Sequence, residues 1–115
     1  MNGLFKSGSP FVELSVEGKK IEALLDTGFN GHLLLPLNII EELGLDIIGI
    51  SDYLTASGDK KTTKVFKGKI VLLEEMEVPV LSTDADIYLA GMELFQECKI
   101  IIDRKKDAVE VIESK

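Results

Sequence analysis

Apolar and polar residues alternate along much of this chain with a period of two. Val12, Leu14 and Val16 are separated by Glu13 and Ser15, which predicts a strand with one buried face. Glu17-Gly18-Lys19 reads as a turn, and Ile21–Leu25 as the returning strand of a hairpin. That second strand runs directly into Asp26-Thr27-Gly28. The run Leu33-Leu34-Leu35 follows. Pro36 then stands where its fixed φ suits a first helical turn, and Leu37, Ile40 and Leu43 share one helical face. Gly44 is placed to end that helix.

Residues 46–74 read as a long hairpin, with β-prone arms at 47–56 and 62–73 and a turn at Ser57-Gly58-Asp59-Lys60. Lys60, Lys61, Lys64, Lys67 and Lys69 stud the returning arm, a solvated face that also discourages edge pairing. Met76–Leu81 predicts another strand, with Pro79 marking an edge or an irregularity. Ile87–Ala90 is a short strand ending at Gly91, Met92–Glu97 a helical turn or two, and residues 99–103 and 108–112 a last hairpin. Residues 1–9 are small and polar and read as a flexible lead-in to one domain over residues 10–115. The fold class is mainly β with one or two short helices.

The chain has 115 residues, enough for one domain. Its net charge of −7 argues against nucleic acid or an anionic membrane as the main partner. No apolar run approaches the ~18 residues of a membrane helix, and the N-terminus lacks a signal-peptide layout. Cys98 is the only cysteine, so no intrachain disulfide forms. A cytoplasmic location is the expectation.

The candidate chemistry lies at Asp26-Thr27-Gly28. A carboxylate at the end of a buried strand keeps its charge only if donors or a shared proton stabilise it. Thr27 offers a hydroxyl, and Gly28 allows close approach of backbone or substrate. The tripeptide alone is also an ordinary turn sequence. Its context is more specific: Ala23-Leu24-Leu25 before it, an apolar run and a helix after it, a hairpin tipped by Gly58, and later Leu89-Ala90-Gly91 followed by Met92-Glu93-Leu94-Phe95.

This ordered set resembles the retropepsin-like aspartic peptidases, including small prokaryotic members, over roughly residues 10–112. The resemblance implies a closed β-barrel that forms half of an acid protease. It makes Asp26 the catalytic aspartate, and Thr27 the residue whose hydroxyl bonds across a dimer. Gly28 corresponds to the glycine beside bound substrate. The hairpin around Ala56, Ser57, Gly58 and Asp59 corresponds to the flap, and Leu89 and Gly91 to the strand that packs beside the catalytic loop. Phe29 and Asn30 fall in the same binding region.

Two features depart from the retroviral pattern. An acidic residue and an arginine that form an ion pair in many relatives correspond here to Asn30 and Met92, both neutral, so no buried charge is stranded. Phe29 replaces a small residue, and its ring has three possible places: narrowing the cleft, filling a pocket or lying in the core.

Hydrolysis of an amide by this chemistry needs two carboxylates, one ionised and one protonated. The chain holds one Asp-Thr-Gly, so a second copy must supply the partner, and a homodimer with a peptide or protein substrate is expected. No cofactor is expected, and one histidine, His32, with one cysteine makes a zinc site improbable. His32 reads as a surface or packing residue, and Cys98 as a small core residue rather than a nucleophile. Glu74, Glu75 and Glu77 read as solvent-facing. Two other readings stand beside the endopeptidase: a non-catalytic dimerisation or peptide-binding module on the same fold, and an unrelated small β-barrel in which Asp-Thr-Gly is only a turn.

Overall fold

The computed structural model describes residues 2–54 and 57–115. Its strands are β1 (Asn2–Lys6), β2 (Ser9–Val16), β3 (Lys19–Leu25), β4 (Leu33–Pro36), β5 (Asp46–Leu54), β6 (Lys60–Val71), β7 (Glu75–Thr83), β8 (Leu89–Ala90), β9 (Cys98–Asp103) and β10 (Ala108–Glu113). One α-helix, α1 (Leu37–Leu43), and a 3₁₀ turn at Met92–Phe95 complete it.

The first hairpin follows from its alternation. Val12, Leu14 and Val16 of β2 are buried, as are Ile21, Ala23 and Leu25 of β3. Glu17 and Gly18 both take positive φ, at 52° and 81°, the two-residue turn whose twist matches a hairpin. The four residues of β4 are all buried, as a strand covered on both faces must be. Pro36 caps α1 from just outside, and Gly44 ends it in the left-handed conformation at φ 72°, donating to the Glu41 carbonyl. Ile40, fully buried, anchors the helix to the core.

The ten strands form one sheet in the order β5-β6-β7-β4-β8-β3-β2-β1-β10-β9, with β6 also paired to β2. That extra pairing, Ser15 opposite Val71 and Val16 opposite Ile70, brings the sheet back on itself. Six strands, β2-β3-β8-β4-β7-β6, therefore make a closed circuit around the apolar core. Glu17 reinforces the seam: its N–H donates to the Lys69 carbonyl, and its carboxylate accepts from the Lys69 N–H. No polar or charged residue is buried among the described residues.

Three sequence expectations are corrected. Residues 1–9 are not all a lead-in, because Asn2–Lys6 form β1, paired to β10 on one side and β2 on the other. The signal was masked by Gly3, which has no side chain because the Phe11 carbonyl occupies that space. The lysines of β6 do not guard an edge, since β6 lies between β5 and β7; Lys67 and Lys69 instead pair with Glu77 (3.4 Å) and Glu75 (3.2 Å). Pro79 lies in an interior strand, one residue before β7 begins to pair with β4 at Leu33–Val80, so its missing N–H costs no bond on that side.

Candidate active site

Asp26 is the first residue beyond β3, and β8 fixes its position. Leu24 and Leu25 pair in parallel with Leu89 and Ala90, which pair on their other side, antiparallel, with Leu33 and Leu34. The two-residue strand β8 is thus wedged between the chain entering the Asp26 loop and the chain leaving it. The Asp26 N–H donates to the Ala90 carbonyl at 3.0 Å.

The loop is then closed by its own atoms. The Gly28 N–H donates to Oδ1 of Asp26 at 2.9 Å, which aims the carboxylate. The Phe29 N–H donates to the Asp26 carbonyl at 3.2 Å. Three further bonds tie the loop to the segment after β8: Gly91 N–H to the His32 carbonyl (2.9 Å), Met92 N–H to the Phe29 carbonyl (2.9 Å) and Glu93 N–H to the Gly31 carbonyl (3.1 Å).

Phe29 holds the two halves together sterically. It is only 8% exposed. Its ring lies against the backbones of Gly31 and Gly91, so close that a Cβ on Gly31 would stand 2.6 Å from Cζ and one on Gly91 would stand 2.7 Å from Cδ2. The ring therefore packs inward, and it also forms one wall of a cavity described below. It is buried without joining the main core cluster.

Asp26 itself is half-buried, and Thr27, Gly28 and Asn30 are exposed. The motif is locked from behind by β8 and Phe29 and open in front. Leu89 and Gly91 stand beside it. Of the flap-tip residues, Ala56 lies outside the described residues. Ser57 and Gly58 are exposed at the end of the β5–β6 hairpin, where the Ser57 hydroxyl donates to Asp59 at 3.2 Å. The hairpin's middle meets the motif region: Ser51 and Asp52 line a cavity of about 220 Å³ with Phe29, Asn30, Gly31 and His32. Sequence reading missed these two because only strand register brings them there. Met92 is half-buried against the core, and Asn30 faces solvent, so neither position holds a charge.

His32 is half-buried, and burial lowers its imidazole from the usual 6.5, with Glu93 acting in the opposite direction. Burial, followed by the neighbouring Glu97, pushes the Cys98 thiol up, which opposes thiolate formation. Glu74, Glu75 and Glu77 face solvent. No group of three or more potential metal ligands exists among the described residues. No described helix is long and apolar enough to cross a membrane.

No protein-family model and no curated protein sequence matches the chain. Solved structures do. A retropepsin-like aspartic protease from Rickettsia conorii superposes with a TM-score of 0.72 at 25% identity, covering 99% of this chain and 89% of that one. EIAV protease complexed with the inhibitor HBY-793 gives 0.67 at 16% identity, over 78% of this chain and 88% of that one. The retroviral protease-like domain of Ddi1 from Leishmania major gives 0.59 at 14% identity, over 92% and 90%.

Proposed function

The chain has the retropepsin-like fold, and we propose that it works as one half of a homodimeric aspartic endopeptidase, acting on peptide or protein substrates in the cytoplasm. The observation that carries this reading is the presentation of Asp26: a carboxylate aimed by the Gly28 N–H, in a loop braced from behind by β8 and Phe29 and uncovered in front. The Gly28 bond alone is that of an ordinary Asx turn; its combination with the bracing by β8 and Phe29 is what supports the reading.

One Asp26 is half of the chemistry. A second copy related by a two-fold axis brings its own Asp26 alongside, and two carboxylates at close range share one proton. The charged member takes a proton from water, the water oxygen attacks the peptide carbonyl, and the protonated member donates to the carbonyl oxygen. Collapse of the tetrahedral intermediate breaks the C–N bond and delivers a proton to the leaving amine. Thr27, exposed beside Asp26, is available to bond across the axis.

Exposed apolar surface supports a second copy. Ile47, Ile48, Ile50 and Leu54 of β5 are 56–73% exposed, and Ile101, Ile102 and Ile112 of the β9–β10 hairpin are 36–43% exposed. Such patches are characteristic of surfaces that another chain or a substrate covers. The β5–β6 hairpin, which carries the first set, is the element expected to close over the cleft.

The test is Asp26→Asn. Asparagine keeps Oδ1 as an acceptor for the Gly28 N–H, so the variant should melt close to the wild type and keep its solution mass. It should cleave no peptide of a diverse library near pH 5. Full activity in that variant would remove the proposal, and a dimer of both forms that binds peptides without turnover would establish the non-catalytic module instead.

A further inference from the structure

The sheet has two outer strands, β5 and β9, and the chain protects only one of them. β5 carries a register shift between Ile47 and Gly49 and the charged residues Asp46 and Asp52. Such devices twist an edge strand away from further pairing and make its burial costly. β9 has none of them. Its sequence is Cys98-Lys99-Ile100-Ile101-Ile102-Asp103, without proline, and it pairs with β10 without a shift from end to end. Its only charges, Lys99 and Asp103, stand near its two ends. Ile101 and Ile102 are 39% and 43% exposed. An apolar edge left in this state is a template for another strand.

The direction of its free backbone groups follows from the ladder. The Ser114 N–H donates to the Glu97 carbonyl at 2.9 Å, one step beyond the β9–β10 register. Hydrogen-bonded positions alternate along an antiparallel pair, so Lys99, Ile101 and Asp103 turn their N–H and C=O groups toward β10. Cys98, Ile100 and Ile102 turn theirs to the open side. The side chains alternate too. Lys99, Ile101 and Asp103 share one face, and Cys98, Ile100 and Ile102 share the other, where Cys98 and Ile100 pack against the core.

We infer that β9 pairs antiparallel with β9 of a second copy, in the register that sets Ile101 against its own copy on the two-fold axis. Ile100 then exchanges backbone bonds with Ile102 of the partner subunit, and Lys99 faces Asp103 of the partner subunit, twice by symmetry. Both charges are available for this. Lys99 is in no ion pair among the described residues, and Asp103 uses only Oδ1, on the Lys106 N–H at 3.1 Å. Sliding the register one way sets Lys99 against Ile101 and then against its own copy; sliding it the other way leaves Lys99 beyond the strand. The pairing consumes the β9 edge of both copies, so association stops at two. β1, held between β2 and β10 of its own chain, has no edge to offer. β9 also hangs from the brace of the motif, since the turn Met92–Phe95 just before it bonds through its first N–H groups to the Asp26 loop. The inference rests on the endopeptidase reading for its need of a second Asp26, and names the surface that brings it.

The experiment is sedimentation equilibrium, which gives the dimer Kd of wild type, Lys99→Glu, Ile102→Pro and the control Lys20→Glu, with peptide cleavage followed on the same samples. Proline at position 102 removes an N–H that faces the open side, so the ladder to β10 is kept while the new pairing is blocked. Ile102→Pro should be monomeric with an unchanged far-UV circular dichroism spectrum. Lys99→Glu sets carboxylate against carboxylate at two places. It should raise Kd by about tenfold, the scale of two solvated charge pairs turned from attractive to repulsive, and the change should shrink at high salt. Lys20→Glu makes the same change in net charge on the exposed β2–β3 hairpin and should leave Kd near that of wild type.

A wild-type dimer whose Kd neither β9 variant moves overturns the pairing, and Asp26-dependent cleavage by that dimer would then stand on another surface. A wild-type monomer overturns the pairing and the paired-aspartate reading together. If Ile102→Pro fails to fold, Lys99→Glu against Lys20→Glu decides alone. A dimer that weakens as stated but cleaves no peptide upholds the pairing and removes the endopeptidase reading.

Discussion

Gly91→Ala should damage this protein far more than its single added methyl suggests. Gly91 has φ −92° and ψ 174°, an extended conformation that alanine adopts freely, so backbone preference is not the issue. Space is. The new Cβ would overlap the Gly31 carbonyl oxygen and stand 2.7 Å from Phe29 Cδ2 and 2.8 Å from the Phe29 carbonyl oxygen. Two of these three atoms are backbone, so rotating a side chain does not relieve the clash. The Asp26 loop must move away from β8. Overpacking of this kind costs about 1–3 kcal/mol. The three hydrogen bonds from Gly91, Met92 and Glu93 to this loop lengthen together, and loss of one adds about 1 kcal/mol. The sum is about 2–4 kcal/mol, a large share of the roughly 5–15 kcal/mol that holds a domain of this size together. At about 4 °C per kcal/mol, Tm should fall by roughly 10 °C. Differential scanning calorimetry at neutral pH measures it. Gly49→Ala is the matched control, because nothing lies within 4 Å of its Cβ and its φ is not positive; its Tm should barely change. Phe29→Leu added to Gly91→Ala should recover little, since the carbonyl overlaps remain. A Gly91→Ala protein that melts within 2 °C of wild type, or one that Phe29→Leu restores, refutes this account of how the loop is braced.

Gly3→Ala should unpin β1, because its Cβ would overlap the Phe11 carbonyl and stand 3.1 Å from Val109 Cβ; limited proteolysis should then cut first near the N-terminus. His32 makes stability fall on acidification. Its folded-state value lies below 6.5, so as pH drops through 6.5 the unfolded chain binds the proton first and folding loses ground until the folded value is passed. Replacing it in His32→Asn should flatten the melting curve's pH dependence between pH 7 and 5, and an unchanged slope would count against it. Cys98 should alkylate slowly with iodoacetamide at pH 7.5, as expected of a thiol pushed up by burial, and Cys98→Ser should leave peptide cleavage intact.

Much of the fold was legible where a segment's own pattern decided it. Alternation located β2, the Glu17-Gly18-Lys19 turn returned β3, β-prone composition around a turn cluster located the arms of the long hairpin, and Pro36 and Gly44 bracketed α1 because both act locally through φ. β1 was not legible, because a strand of mixed polarity with a glycine at its centre carries no periodic signal. It is a strand only because β2 and β10 flank it. The lysine-rich arm was readable as solvated but not as interior, since which strand lies beside β6 is a long-range fact. At the site, Asp26-Thr27-Gly28 and Leu89-Ala90-Gly91 could be matched by order along the chain. The inward place of Phe29 and the approach of Ser51 and Asp52 could not, because both depend on how turns far apart in sequence are stacked.

The pairing of β1 with β10 has a kinetic side. Asn2 lies opposite Glu110 and Leu4 opposite Ala108, so β1 is completed by a strand made much later. During synthesis β1 can rest against β2 through Leu4–Phe11 but exposes its other ladder until residues 108–110 have emerged. The ladders of the closed six-strand circuit need nothing beyond Ala90, but its core also takes in Leu94, Phe95, Val109 and Val111. The C-terminal hairpin therefore does two things at once when it arrives, completing the β1 ladder and filling the core with Val109 and Val111.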